Sequence, residues 1–173
     1  VAPDLRSRSY DITAHINPTG STGDRDGVLI AHGDATCGYS LFVRGGHLVH
    51  DLNIGGTHQL VTSDVTVPAA AATLGFRMRR AGDGPFPHGI GTLLIDGEPA
   101  GEMETDQIFW LMISWSGLDI GLDRGTTVAD YDGSGRHLGP NTYQGDLVQV
   151  TVDLVPDQDI DHDAAGATEL GRE

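Results

Sequence analysis

Tyr39-Ser40-Leu41-Phe42-Val43-Arg44-Gly45-Gly46-His47-Leu48-Val49-His50-Asp51-Leu52-Asn53-Ile54 decides how the rest of the chain is read. Tyr39, Leu41 and Val43 fall on one face of an extended segment, and Leu48, His50, Leu52 and Ile54 fall on one face of the next, because side chains in a strand alternate sides. Gly45-Gly46 between them is a two-residue loop whose twist suits right-handed strands, so the stretch predicts a tight hairpin. His47 and His50, three apart, stand on opposite faces and cannot share an ion, while His50 lies on the apolar face.

The same two-residue period runs outward in both directions. Tyr10, Ile12, Ala14 and Ile16 alternate with Asp11, Thr13, His15 and Asn17, giving a strand with one wet face. Asn17-Pro18 stops it, and a polar loop leads to Gly27. Val28 to Ala31 is short and apolar, as a central strand would be. His58 to Val67 continues beyond Gly55-Gly56. Leu74, Phe76 and Met78 alternate with Gly75, Arg77 and Arg79, which turns both arginines toward solvent or a partner. Asp96-Gly97 joins Gly91 to Ile95 with Glu98 to Glu104, a strong hairpin signal. Phe109 to Ser114 reads as the most apolar strand, Leu118 to Leu122 as the next. Val148, Val150, Val152 and Leu154 alternate with Gln149, Thr151 and Asp153. About eleven strands and no helix predict an all-β protein, an antiparallel β-sandwich or barrel. The expected domain spans 1–156. Residues 157–173 form an acidic C-terminal tail with too few apolar groups to order alone.

Composition limits the partners. The 173 residues carry a formal net charge of −15, and all ten cationic side chains are arginines. Phosphate backbones and anionic bilayers are repelled by such a surface, so nucleic acid and membrane are not expected partners. No run approaches the roughly 20 apolar residues of a spanning helix, and the chain is expected to be soluble. It opens at Val1 without a signal peptide, reads as a processed or excised piece, and encodes no compartment. Cys37 has no partner for an internal disulfide and reads as a packed thiol.

Taken in order, Arg8-Ser9-Tyr10-Asp11-Ile12-Thr13-Ala14, Gly27-Val28-Leu29-Ile30-Ala31-His32-Gly33, Gly38-Tyr39-Ser40-Leu41-Phe42-Val43, Gly46-His47-Leu48-Val49-His50, Asn53 with Gly55, Leu94-Ile95-Asp96-Gly97, Gly121-Leu122-Asp123-Arg124-Gly125 and Val150-Thr151-Val152-Asp153-Leu154 resemble the C-terminal β-sandwich region of large bacterial arylsulfatases. The resemblance covers about Ala2 to Leu154. It implies a concanavalin A-like or laminin G-like jelly roll with first and last strands adjacent. It also implies a non-catalytic accessory domain, packing on an α/β sulfatase catalytic domain absent from this chain. Cys37 is followed by Gly38-Tyr39-Ser40-Leu41, which does not match a formylglycine motif.

Several residue groups are candidate sites. Asp130-Tyr131-Asp132-Gly133-Ser134-Gly135 places oxygens of Asp130, Asp132 and Ser134 at alternate positions before a glycine turn, as a structural calcium loop begins. Asp123 and Asn141 would help complete the set. Position twelve is Asn141 rather than the bidentate glutamate, and the same residues serve ordinary turns. Asp24-Arg25-Asp26-Gly27 is a weaker version. The remaining histidines are scattered and read as surface groups. Tyr131 and Tyr143, in or beside the long loop from Asp123 to Thr142, are candidates for stacking on a carbohydrate. Trp110 and Trp115, five apart, would face opposite ways on a regular strand, at least one of them in the core. The alternative to an accessory domain is therefore a lectin-like, carbohydrate-binding module. Glu102 and Glu104 share a face and would serve a glycoside hydrolase only if they lined a groove.

Overall fold

A computed structural model describes residues 2–18, 25–84, 86–110 and 113–160. Among them are ten strands and no helix. One sheet holds β1 (Tyr10–Ile16), β6 (Thr73–Ala81), β7 (His88–Ile95), β8 (Glu98–Thr105) and β10 (Leu147–Leu154) in the order β10-β1-β6-β7-β8. The other holds β2 (Gly27–Gly33), β3 (Cys37–Arg44), β4 (His47–Ile54), β5 (Thr57–Thr66) and β9 (Leu118–Ile120) in the order β5-β4-β3-β2-β9. Every pairing between these strands is antiparallel, and β1 pairs with β10, so first and last strands are adjacent.

Both expected hairpins form. Arg44 faces His47 across Gly45-Gly46, whose φ angles of 58° and 77° need residues tolerant of the left-handed region. Asp26 caps this turn, accepting from the amides of Gly45 at 2.6 Å and Gly46 at 3.0 Å. Ile95 faces Glu98 across Asp96-Gly97, at φ 50° and 79°.

The sheets enclose one core. Tyr10, Ile12, Leu74, Phe76, Met78 and Leu93 from the first sheet meet Ile30, Tyr39, Leu41, Leu48 and Leu52 from the second. The first sheet is wet on its outer side: β1 alternates buried and half-buried, and its Asp11 pairs with Arg77 and Arg79, both at 2.9 Å. The second sheet is covered on both sides. β3 and β4 are buried along nearly their whole length, because Val128, Ala129 and Tyr131 of the long loop pack on Val28, Ala31, Phe42 and Val49.

One expectation needs revision. Phe109–Ser114 supplies no strand at its described residues, with Leu111 and Met112 outside them, so the count falls from eleven to ten. Ile108, Phe109 and Ile113 are nonetheless buried in the core; an apolar run demands burial, which irregular backbone supplies equally well. Hydrogen bonds also continue beyond Pro156. Asp157 accepts from Ser9 N at 2.8 Å and Ser9 Oγ at 2.6 Å, and Asp159 N donates to Ser7 O at 3.2 Å. The remainder of the expected tail, 161–173, lies outside the described residues, as does most of the loop before Gly27.

Candidate functional site

An open groove of about 840 Å³ lies beside the short edge strand β9, within the usual few-hundred-to-thousand Å³ range of small-ligand sites. Its walls are the N-terminal segment with Asp4 and Arg6, His32 at the end of β2, and the segment Ser114-Trp115-Ser116. Trp115 is 80% exposed. The turn carrying it is held from below by Asp34: Ser114 Oγ donates to Asp34 Oδ2, Ser116 Oγ donates to the same oxygen at 3.2 Å, and Thr36 N donates to Oδ1 at 2.8 Å. Partial burial pushes the Asp34 carboxyl up, but the donors from Ser114 and Thr36 outweigh it and lower its pKa to about 2. Across the groove Arg6 pairs with Asp4, Nε to Oδ1 at 2.9 Å. Burial lowers the His32 pKa, which keeps its ring neutral near pH 7. An indole face flanked by hydroxyls and one compensated ion pair suits a polar ring with an apolar face.

A second set of polar groups lies under the long loop, on the outer side of β3, β4 and β5. Tyr131 Oη donates to Asp123 Oδ2 at 2.6 Å and stands 2.7 Å from Ser40 Oγ. Val128 N also donates to Asp123 Oδ2, at 2.9 Å. Asn53 Nδ2 donates to Ala35 O at 2.9 Å and Val128 O at 3.2 Å, which ties the loop to β4. Asp51, 1% exposed, is bonded to His58 Nδ1 at 2.6 Å. Burial raises the pKa of both Asp51 and Asp123.

The structure redistributes the residues singled out in the sequence. Tyr131 and Tyr143, expected as exposed stacking groups, are 9% and 7% exposed. The Tyr131 hydroxyl is engaged and its ring packs edge-on against Phe42 beside a hollow of about 230 Å³, and Tyr143 belongs to the main core. Loop position is a poor guide to exposure when the loop itself covers a sheet. Asp130 accepts from Gly133 N at 2.9 Å and Gly135 N at 2.8 Å, and Asp132 accepts from Ser134 N at 2.9 Å, so the turn closes on its own amides. Among the described residues no group of three or more His, Cys, Asp or Glu side chains is placed to hold a metal. Glu102 and Glu104 stand exposed on the edge strand β8 and line no part of the Trp115 groove. Cys37 is half-buried, and burial raises its thiol pKa. Trp110 is half-buried against Phe86, ring centres 4.7 Å apart. The contacts of Asp34 with Ser114 and Ser116, and of His58 with His137, carried no local signal, since the partners are distant in sequence.

No family model matches the chain, and no curated protein matches it. Solved structures do. Domains LG4-5 of the mouse laminin α1 chain share the fold with a TM-score of 0.55 at 10% identity, over 90% of this chain and 39% of that one. A heptameric SAP-like pentraxin from Limulus polyphemus aligns at 0.49 and 15% identity over 87% of this chain and 67% of its own. The enzymatically active domain of bacteriophage CBA120 tailspike protein 2 aligns at 0.46 and 16% identity, over 91% and 24%. The chain thus spans well under half of the laminin fragment and about a quarter of the tailspike domain. Its class is a laminin G-like jelly-roll β-sandwich. No link to arylsulfatases emerges from these comparisons.

Proposed function

We propose that this chain is a carbohydrate-binding, lectin-like domain that holds its ligand in the groove at Trp115. The observation that carries the reading is an indole 80% exposed at the lip of that groove, on a turn locked by Asp34. An exposed tryptophan of this size costs solubility unless it meets a ligand, and its flat face complements the C–H face of a pyranose. Ser114, Ser116, Asp4 and Arg6 supply donors and acceptors for ring hydroxyls. The Asp4–Arg6 pair leaves the wall without net charge, and the chain as a whole is strongly negative. Neutral glycans are therefore favoured over sulfated or uronic ones.

The test is an array of neutral and sulfated oligosaccharides, followed by calorimetry on the best binder with the wild type and Trp115→Ala. The expected result is neutral-glycan binding weakened about tenfold or more by the substitution, as for an aromatic hot spot. Absence of binding to every glycan, or equal binding by Trp115→Ala, overturns the reading. Calcium enters the same experiment. The Asp130 turn and Asp34 sit at opposite ends of β3, about 20 Å apart at strand rise. Affinity indifferent to calcium and to Asp132→Ala is thus expected for this groove; a loss in Asp132→Ala would instead make Asp130, Asp132 and Ser134 part of the site. The accessory role beside a sulfatase catalytic domain draws on segment likeness alone. Coding sequence upstream of Val1 that encodes an α/β domain with a formylglycine motif would be its support.

A further inference from the structure

We propose that His58 and His137 form an open binding site for a transition-metal dication of the zinc class, with Asp51 as the carboxylate behind His58. The site is separate from the Trp115 groove and stands independently of the glycan reading.

His58 comes from β5 and His137 from the long loop, and the fold brings their ring centres to 5.7 Å with planes inclined by 33°. His137 Nδ1 is 2.8 Å from Thr127 O, a carbonyl that can only accept. His58 Nδ1 is 2.6 Å from the Asp51 carboxylate. Each ring is thus held through Nδ1–H and presents Nε2 as its lone-pair nitrogen. Neither Nε2 has a hydrogen-bond partner among the described residues. An imidazole whose second nitrogen donates to a carboxylate or carbonyl is the arrangement that orients histidine ligands and strengthens them as bases. The spacing also fits. A zinc–nitrogen bond of about 2.0–2.1 Å puts each ring centre about 3.2 Å from the ion, so two rings on one ion lie about 5 to 6 Å apart.

Asp51 supplies an independent indication. Its side chain is 1% exposed, and among the described residues its only ion-pair partner is His58 and its buried Oδ1 has no hydrogen-bond partner. A buried carboxylate with a single histidine partner and one unbonded oxygen has little around it to offset its desolvation. A dication on the far nitrogen of that imidazole offsets the charge through the Nδ1–H bond. His58 is 28% exposed and His137 half-buried, so an ion can reach both. With two protein ligands, the remaining positions fall to water or to a bound ligand, as in sites that keep an open position.

The test uses the full chain stripped with chelator, titrated near neutral pH with zinc by calorimetry and with cobalt by visible absorption. One ion per chain is expected. His58→Ala and His137→Ala should each weaken it about tenfold or more, Asp51→Asn by about 10–100-fold, and His47→Ala, a histidine on the same sheet, not at all. Zinc should also shift the Nε2 resonances of His58 and His137 in the nitrogen-15 spectrum of the wild type. Unchanged affinity in His137→Ala, or Nε2 resonances that zinc leaves in place, overturns the proposal. His137 sits on the covering loop, so its variant decides the matter even where Asp51→Asn or His58→Ala fails to fold.

Discussion

His50 stacks on Phe76 with ring centres 3.5 Å apart and planes 3° from parallel, buried between the sheets, and its Nε2 finds no partner there. Burial lowers its pKa from 6.5 to about 3. The native ring therefore refuses the proton that the unfolded chain accepts at 6.5. The sign follows: between about pH 6.5 and pH 3 the unfolded state binds more protons, so this group makes stability fall as pH falls, by up to about 1.4 kcal/mol per pH unit. The Asp34 carboxyl, lowered to about 2, acts in a more acid window, since its stabilisation is lost only as pH falls from about 4 toward 2. Denaturant unfolding of the wild type and His50→Gln at stepped pH should separate the two. The expected result is a shallower loss in the variant between pH 6.5 and 4; parallel curves would show that the native state takes up the proton after all.

At the scale of elements, the decisive fact is that β3 and β4 are covered on both sides. Gly38 on β3 lets both β2 and the covering loop sit close. A Cβ there would meet His32 O at 2.3 Å and Val128 Cγ2 at 2.9 Å. Backbone cannot yield as a side-chain tip can, so Gly38→Ala is expected to destabilise by about 1–3 kcal/mol, the usual cost of overpacking. It should also open the covering loop to limited proteolysis. The measurement is the denaturation midpoint with the cleavage pattern; an unchanged midpoint with unchanged cleavage would mean that β2 and the loop do not pack this closely on Gly38. This cover also explains two features of the sequence reading. The near-continuous apolar run in Val28 to Ala31 was a sign of burial on both faces. What does the covering was hidden, because the loop from Asp123 to Thr142 is rich in Gly and Asp and reads as solvent-exposed.

For the molecule as a whole, a formal charge of −15 on 173 residues means mutual repulsion among exposed carboxylates. The ion pairs that relieve it, such as Arg77 and Arg79 on Asp11, are largely exposed and contribute little each. Raising the ionic strength from low to physiological shortens the screening length to about 8 Å. The melting temperature should rise with it. A melting temperature that falls with added salt would place the balance on attractive surface pairs instead. On the proposal of glycan binding at Trp115, the same field sets the preference for neutral ligands, since a polyanionic glycan would approach against it.

The strands, their faces and their turns were legible in the sequence because they rest on local causes: two-residue alternation, and Gly-Gly or Asp-Gly pairs that accept positive φ. The adjacency of first and last strands came through resemblance. Which strand pairs with which in the rest of each sheet, and the loop that buries a second face, depend on contacts between segments far apart in the chain. For that reason Tyr131 and Tyr143 are packed where exposure was expected, while Trp115 on an apolar run is exposed. Asp34 meets Ser114 and Ser116, and His58 meets His137, across about eighty residues. A carboxylate or an imidazole acquires its role from the neighbours that burial forces on it, and only the folded chain chooses those neighbours.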